Sequence, residues 1–518
     1  MKKIFSIIII GSTLLTTSCK KDFDSLEKDP NRPTSVSANL VLNGILSDIT
    51  QKPFSPTQRW SQFYACNYAY YGDQQYTWTG VSFNTYNTLK NVLRMEEEAA
   101  KSFAVPNPYS ALGKFIRAYM FYNLTMQTGD IPVSEALKSL ENISPKYDTQ
   151  KEVFRQILAW LEEANTEMST IVTKGNYLLA NDFYYNNDLK KWRKAVNSFK
   201  LRVLIQLSKQ AGDADLKIKQ KFAETISDAS KYPVFEGMAD NMQYVYNNQY
   251  NKYSTNPDNF GFDAARYNMT ATFLDRLVSL QDPRTFYVAE PAAALVTAGK
   301  APNSFDAFKG AGSGDDLANM SADAGLGKFS FINRKRYYST YTAENTIQVG
   351  YPELCFNMAE AINRGWITGD AEEWYKKGIQ ASIGLYGIAY GNNTVTFQKP
   401  GGTLSEYNTY TINFDWAAYY NQPSVKYAGA DATGLNQILT QKYLAFYQNS
   451  GWEAYYNWRR TGTPAFHTGP GTGNSQRVAL RFQYPVSEKA INLTNVNNAI
   501  QSQFSGPDDI NAKMWIIK

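Results

Sequence analysis

The chain has very little histidine and cysteine, two side chains that catalysis and metal binding often use. Its 518 residues include a single histidine, His467, and three cysteines. One imidazole excludes most zinc sites and most catalysis by serine–histidine or cysteine–histidine pairs, unless His467 itself takes part. Since His467 lies in a stretch rich in Gly and Pro, we expect it in a loop without a catalytic role. The sequence therefore predicts no catalytic residue and no metal site built on histidine.

An excess of charge of one sign is also lacking. The formal net charge is +5, from 52 basic and 47 acidic residues. If Lys2 and Lys3 are removed with a signal segment, fifty basic residues face forty-seven acidic ones, a net charge of about +3. The chain therefore carries no strong electrostatic attraction for nucleic acid, and we expect no nucleic-acid partner.

A hydrophobic run long enough to cross a membrane is missing as well. The apolar run from Ile4 to Leu15 has roughly a dozen residues, whereas a membrane-spanning helix needs about twenty. A basic start precedes this run, and the small residues Thr16, Thr17 and Ser18 follow it. This pattern predicts a secretory signal peptide over residues 1–18.

Cys19 comes directly after the predicted signal peptide. The ending Leu15–Cys19 resembles the lipobox of bacterial lipoproteins, in which the cysteine is acylated and becomes the first residue of the mature protein. We therefore predict lipidation at Cys19, which would hold the protein on a membrane surface through its acyl chains. Residues 19–37, with Pro30 and Pro33, are expected to form an extended tether. The alternative is an ordinary signal peptide followed by an incidental cysteine.

The two other cysteines are Cys66 and Cys355. They leave one disulfide arithmetically possible, but their spacing does not require it. We favour two buried free thiols, since free cysteine behaves as a small apolar residue.

Aromatic residues are abundant, with 37 Tyr, 28 Phe and 10 Trp. Tyrosine and tryptophan offer rigid apolar faces together with a hydrogen-bonding group, which suits amphipathic ligands such as sugars. Aromatic side chains also fill the cores of helical repeat proteins, so their number alone does not decide between the two uses.

Apolar residues at intervals of three and four predict helices along most of the chain. The pattern covers residues 38–230 and 350–500 as successive helical hairpins, within a domain that spans residues 38–518. In the second region Asp370 is placed to cap a helix, and Gly378 falls where two helices would approach. Such a hairpin resembles a tetratricopeptide unit, although no strict repeat of about thirty-four residues recurs. The predicted fold is mostly α, an αα-superhelix of degenerate hairpins.

Residues 231–349 interrupt this regularity. They are rich in Asn, Tyr and Gly, have few long apolar periods, and form a predicted loop-rich insert, for which we expect a binding or packing use. The segment Gly310–Asp316 has neither the Lys-Ser/Thr of a phosphate loop nor the alternating oxygen ligands of an EF-hand. We expect a surface loop there and keep a structural calcium ion as an alternative. No other cofactor is expected.

Aromatic residues are densest between Trp60 and Tyr86. Four of them, Trp60, Tyr64, Tyr68 and Tyr71, have helical spacing and are interpreted as a stripe packed on a neighbouring helix. Tyr76 and Trp78 follow the break at Gly72 in a polar segment, where burial gives no reason for a large ring. The predicted ligand platform consists of Tyr71, Asp73, Gln74, Tyr76 and Trp78, with Gln75 and Asn84 as further polar neighbours.

Several segments, in the same order, carry a resemblance to a known family. Pro352–Trp366 resembles the helix signature of SusD/RagB-type nutrient-binding outer-membrane lipoproteins. Further matching segments are Gly129–Ala136, Asp188–Arg202, Asp282–Arg284, Gln441–Tyr443 with Trp458–Pro464, and Arg481–Pro485 followed by Glu488 and Asn492. The resemblance covers nearly the whole mature chain and is greatest to the second, SusD-like branch.

The resemblance implies a monomeric domain of tetratricopeptide-like helical hairpins with a loop-rich part that faces the ligand. Such a domain captures an oligosaccharide or another nutrient at the cell surface. The resemblance further implies that the protein serves as the lid of a SusC-like TonB-dependent transporter in the outer membrane. The matching motifs are structural in this interpretation, and Lys194, Asn197 and Arg202 are expected to pack or cap helices. The ligand residues of the family lie in variable loops, so no motif transfers them to this sequence.

Two other functions remain open from the sequence. A glycoside hydrolase needs two carboxylates about 5 to 9.5 Å apart in a cleft. The adjacent acidic residues lie on predicted helices, where neighbouring side chains diverge, or in the Gly-rich loop, so an enzyme is disfavoured. A helical scaffold that binds a protein partner without a small ligand is the stronger alternative.

Overall fold

A computed structural model describes residues 35–175 and 177–518 of the protein. The predicted signal peptide, Cys19 and the tether as far as residue 34 lie outside the described residues. Within the described ranges, no helix combines the length and the apolar character that crossing a bilayer requires.

The described part of the chain is mostly α-helical, as predicted. The helices are α1 Ala38–Asp48, α2 Pro56–Trp60, α3 Thr85–Ala100, α4 Pro108–Thr128, α5 Gln150–Lys174, α6 Leu189–Gln206, α7 Ile218–Ser227, α8 Phe260–Asp263, α9 Arg276–Ser279, α10 Thr285–Val288, α11 Ala293–Thr297, α12 Leu317–Gly325, α13 Arg334–Tyr338, α14 Tyr351–Asn363, α15 Ala371–Gly384, α16 Trp416–Tyr420, α17 Ala432–Ala445, α18 Glu453–Thr461, α19 Val486–Ile491 and α20 Leu493–Phe504. The strands are β1 Tyr64–Cys66, β2 Met242–Tyr244, β3 Tyr267–Met269, β4 Thr346–Val349, β5 Gly391–Gln398 and β6 Tyr407–Phe414.

The first helical region contains α1 and α3 to α6, each packed against the next. Helix α4 shows how the sequence determines where a helix begins. The Asn107 side chain accepts hydrogen bonds from the backbone N–H groups of Tyr109 and Ser110, and Pro108 occupies the first helical position. Nearly all of α4 is buried, so it forms the centre of this region.

The second helical region is built on the hairpin of α14 and α15, with α17 packed against α14. The predicted cap is present, since the Asp370 carboxylate accepts a hydrogen bond of 3.0 Å from the N–H of Glu373. At Gly378 the two helices approach so closely that a Cβ atom would lie 2.7 Å from the Phe356 ring. Glycine is therefore required there by packing.

A β-hairpin interrupts the second helical region and corrects the prediction of helices throughout residues 350–500. Strands β5 and β6 pair in antiparallel register from Gly391 opposite Phe414 to Gln398 opposite Tyr407. Alternating burial along β5 places Val395 and Phe397 against the core. The alternation of apolar and polar residues in these segments is the signal for strands that the helical interpretation overlooked.

Residues 231–349 form short helices and take part in two small sheets, of which the sheet with β1 attaches them to the segment that follows α2. Strand β1 pairs with β3, and β2 pairs with β4, both antiparallel. A second hydrophobic core lies under this part of the chain and contains Phe63, Phe273, Tyr337 and Tyr447. The predicted loop-rich insert is thus firmly packed.

Buried ion pairs join helices that are far apart in sequence. Arg202 of α6 donates from Nε to the carboxylate of Glu353 in α14 at 2.7 Å. Arg460 of α18 donates from Nη2 to Glu360 of α14 at 2.9 Å. Burial acts to raise the pKa of Glu360, but Arg460 and Lys442 outweigh it and hold that pKa well below its usual range. Burial lowers the pKa of Lys442 to about 8.

Two residues of the matching motifs have the structural roles expected of them. Lys194 pairs with Asp240 at 3.0 Å, and the Asn197 amide donates to the backbone oxygen of Pro233 at 2.9 Å. Cys66 and Cys355 are both buried and free, which confirms the prediction for these two thiols.

Candidate ligand-binding site

The structure contradicts the prediction that Tyr76 and Trp78 form an exposed platform. Their side chains are only 1% and 5% exposed, and both belong to the main hydrophobic core. The Tyr76 hydroxyl donates to the backbone oxygen of Trp60 at 2.7 Å, and the Trp78 ring stacks on Phe482 with centroids 4.2 Å apart. These two rings are therefore core residues.

Gln74 is also unavailable to a ligand. Its amide accepts a hydrogen bond from the N–H of Cys66 and donates to the oxygen of the same residue, each at 2.9 Å. Asp73 and Gln75 remain on the surface, with Asp73 accepting a hydrogen bond of 2.9 Å from the N–H of Gln75.

Burial alternates strictly along residues 74–79, with Gln74, Tyr76 and Trp78 inside and the residues between them outside. This two-residue period is that of an extended segment with one face on the core. The alternation of rings with Gln and Thr in the sequence could have identified it. The polar composition was instead interpreted as a loop, and that error placed two buried rings in the predicted site.

The predicted helical stripe from Trp60 to Tyr71 is wrong as well. Helix α2 ends at Trp60, and Tyr64 begins strand β1. Tyr68 leaves this strand and lies 50% exposed. Glycine is favoured at the break after Tyr71, because Gly72 has φ +125°.

A group of exposed rings lies just beyond β1, and we call it the aromatic rim: Tyr68, Tyr70, Tyr71 and Phe262. Tyr70 is 83% exposed and Phe262 is 73% exposed. Tyr71 is half-buried, and its hydroxyl donates to the backbone oxygen of Phe262 at 2.7 Å, which joins the two segments. The Tyr70 and Tyr71 rings meet edge to face with centroids 5.1 Å apart.

The rim adjoins a cavity of about 600 Å³. Asn67, next to Tyr68, lines the cavity, and so does Arg266, whose guanidinium carbon lies 4.9 Å from the centre of the Tyr68 ring. The insert and the tip of the β5–β6 hairpin provide the other walls. The aromatic side chains in these walls are Phe329, Phe331, Phe397 and Tyr410.

The polar lining of the cavity is held in place by buried contacts. Glu290 accepts hydrogen bonds from the Arg334 side chain at 2.6 and 2.9 Å and from its backbone N–H at 2.8 Å. Burial raises the pKa of Glu290, and Arg334 opposes this shift. Gln398 is buried, and its Oε1 atom has no hydrogen-bond partner among the described residues. This oxygen atom is itself inaccessible, so it is not a contact point for a ligand in the cavity.

This arrangement combines exposed ring faces with a cavity that offers fixed polar groups. Most binding sites for small molecules have this composition, apolar walls with a few positioned donors and acceptors. The acidic residues of the Gly-rich loop are engaged locally, since Asp315 accepts from the N–H of Gly312 and Asp316 caps α12. In the described ranges, no three His, Cys, Asp or Glu side chains are grouped to hold a metal ion. A structural calcium ion stays an untested prediction.

A comparison with models of protein families shows to which family this chain belongs. The second SusD-like family model, described as starch-binding associating with outer membrane, matches residues 30–485. The chain belongs to the SusD-like family. This assignment confirms the resemblance found in the sequence motifs.

Solved structures agree with the SusD-like assignment. A SusD homologue from Bacteroides fragilis NCTC 9343 is 31% identical, with a TM-score of 0.80 over 93% of this chain and 100% of its own. A Bacteroides vulgatus ATCC 8482 protein, assigned to the outer membrane and to nutrient binding, is 30% identical with a TM-score of 0.78 over the same shares of the two chains. A chitin-binding SusD homologue from Flavobacterium johnsoniae, at 20% identity and a TM-score of 0.68, covers 93% of this chain and 98% of its own and shares the fold. No curated protein matches the chain.

Proposed function

We propose that this SusD-like protein captures a carbohydrate nutrient at the outer membrane without cleaving it. The observation that carries the proposal is the aromatic rim at the mouth of the cavity. Rings that are 73% and 83% exposed gain nothing from the fold by being large and apolar. Stacking on the flat apolar face of a sugar ring gives them a use, and the cavity beyond them offers partners for hydroxyl groups.

The aromatic rim lies in the same region of the chain as the predicted site but contains partly different residues. Tyr71 and Asp73 keep their proposed ligand role, because both remain at the surface near the exposed rings. Tyr68, Tyr70 and Phe262 join them, and Gln74, Tyr76 and Trp78 leave the site. The family description, which names starch and the outer membrane, supports a glycan over a peptide.

Delivery is the second part of the proposal. A protein that holds its ligand only by stacking and a few hydrogen bonds releases it readily, which suits transfer to another protein. We propose a SusC-like TonB-dependent transporter as the recipient, with this protein as its lid at the cell surface.

Acylated Cys19 would be the anchor that holds the protein at the membrane. Cys19→Ala should abolish labelling by a radioactive fatty acid, and retained labelling would contradict the anchor.

Isothermal titration against a panel of soluble oligosaccharides tests ligand capture. We expect micromolar to millimolar affinity, and Tyr70→Ala should weaken it about tenfold, since removing the ring loses both the stacking, on the order of 1 kcal/mol, and the apolar area that the sugar would cover. Tyr390→Ala is the matched control, because Tyr390 is also exposed but lies at the opposite end of the β5–β6 hairpin from the cavity.

The outcomes separate the proposed functions. Binding that Tyr70→Ala weakens and Tyr390→Ala leaves unchanged supports capture at the rim. Chromatography after incubation should show intact oligosaccharide, and released products would indicate a glycosidase. Absence of binding to every glycan, combined with co-purification of a transporter, would favour the scaffold function.

A further inference from the structure

The lining of the cavity has more positive than negative side chains. Its lining includes two arginines, Arg266 and Arg334, and one carboxylate, Glu290. Glu290 is fully engaged by Arg334, through both carboxylate oxygens and at distances between 2.6 and 2.9 Å. One positive charge in the lining, that of Arg266, is therefore left over.

Arg266 is exposed, and no ion pair involves it within residues 35–175 and 177–518. Its backbone is fixed, since the Arg266 N–H donates to the oxygen of Asp263 at 2.7 Å. Its guanidinium carbon lies 4.9 Å from the centre of the Tyr68 ring, a cation–π contact. This contact holds the side chain at the junction of rim and cavity and leaves its N–H donors available.

Several other arginines and lysines of residues 231–349 are paired with carboxylates. Lys309 pairs with Asp275 and Lys328 pairs with Asp323. Arg336 pairs with Glu344. Acidic residues are thus not scarce in this part of the chain. Among the basic residues without an ion pair in the described ranges, Arg266 is the one that lines the cavity.

The exposed rings beside Arg266 give a second requirement for the ligand. Tyr70 and Phe262 of the aromatic rim favour a flat apolar face, as a sugar ring offers, and the guanidinium favours an anion. A sugar that carries a carboxylate or a sulfate ester satisfies both.

We propose that the protein selects an anionic saccharide, with Arg266 binding the carboxylate or sulfate while the sugar rings stack on the aromatic rim. This inference rests on the proposed capture of a carbohydrate and narrows its ligand class. The planar guanidinium can offer two parallel N–H donors to two oxygens of one anionic group. Arg266 is then the residue that distinguishes an acidic glycan from its neutral counterpart.

Pairs of ligands that differ only in charge test the proposal. One pair is an oligogalacturonide and the same oligomer after reduction of its carboxyl groups, and the other is a sulfated oligosaccharide and its desulfated form. At low salt, where exposed charges are weakly screened, the charged member of one pair should bind about tenfold tighter or more by titration calorimetry. The preferred pair identifies carboxylate or sulfate as the group that is bound.

Arg266→Gln should abolish that preference, so that the charged and neutral members of the pair bind with equal affinity, while the melting temperature stays unchanged. Arg155→Gln is the control for net charge, because Arg155 lies on α5, which contributes no residue to the cavity. It should keep the full preference.

Equal binding of charged and neutral members, or a preference that persists in Arg266→Gln, would overturn the anionic ligand class and leave carbohydrate capture standing. If no member of either pair and no other glycan binds, both proposals fall together. The two failures are therefore distinguishable.

Discussion

Trp78 shows at the scale of one residue how burial changes a functional interpretation. Its ring stacks on Phe482, with an angle of 5° between the planes. Four more rings meet it at centroid distances between 5.2 and 5.5 Å, those of Trp60, Tyr76, Trp452 and Tyr455. A side chain in this position contributes to folding through buried area and ring contacts, and a ligand cannot reach it.

We expect Trp78→Ala to lower the free energy of unfolding by about 3–5 kcal/mol, because it removes a large buried ring from a packed cluster. Urea denaturation measures this change. Tyr70→Ala, on an exposed ring, is the control and should change the free energy by less than about 0.5 kcal/mol. A Trp78→Ala protein of normal stability that no longer binds glycans would return Trp78 to the binding site.

The β5–β6 hairpin is the element at which the sequence prediction and the structure disagree, since the sequence pattern predicts helices there. Helices α1, α3, α4, α14 and α15 could be predicted, since their apolar periods are long and caps such as Asn107 and Asp370 mark their beginnings. The hairpin could not be recognised by the same pattern, because only every second residue of β5 faces the core. The site depends on this element and on contacts between residues 67 and 266, which no local pattern reveals.

The tip of the hairpin forms part of the cavity wall through Pro400 and Gly401. Replacing residues 399–406 by Asn-Gly, a turn that suits a two-residue hairpin, should preserve the circular dichroism spectrum and weaken ligand binding. Ser405→Ala is the control on the same tip, since Ser405 does not line the cavity. Unchanged affinity in the shortened hairpin would show that the ligand does not use this wall.

At the scale of the whole molecule, Asp130 connects the first helical region to the C-terminal part of the chain. Its carboxylate accepts from the N–H of Gln150 at 2.7 Å, its own N–H donates to Gln503 at 2.9 Å, and its backbone oxygen accepts from the Tyr484 hydroxyl at 2.7 Å. Burial raises the pKa of Asp130 to about 7, although the hydrogen bond from Gln150 acts against it.

The pKa of Asp130 has a definite consequence for stability. Because the pKa is higher in the folded protein than in the unfolded chain, the folded state holds an extra proton between about pH 4 and pH 7. The stability from this proton is fully present below about pH 4 and is lost as the pH rises through about 7.

Asp130→Asn keeps the side-chain oxygen that Gln150 requires and cannot ionise. We therefore expect the free energy of unfolding of the variant to rise by about 2–4 kcal/mol relative to that of the original protein as the pH increases from 4 to 8. Urea unfolding at each pH measures this difference. Asp215→Asn, which alters an exposed surface pair with Lys151, should show no comparable gain. Parallel pH profiles for Asp130→Asn and the original protein would contradict a raised pKa.

The two buried thiols offer separate reporters of local opening. Cys66 lies in the strand that leads to the aromatic rim, and Cys355 lies in α14 at the centre of the second helical region. A thiol reagent can react with either only after its surroundings open, so the labelling rate of each measures the free energy of opening around it. If ligand binding slows labelling at Cys66 and leaves Cys355 unaffected, the rim is stabilised on its own. Slower labelling at both cysteines would show that a sugar bound at the rim also stabilises the distant helices.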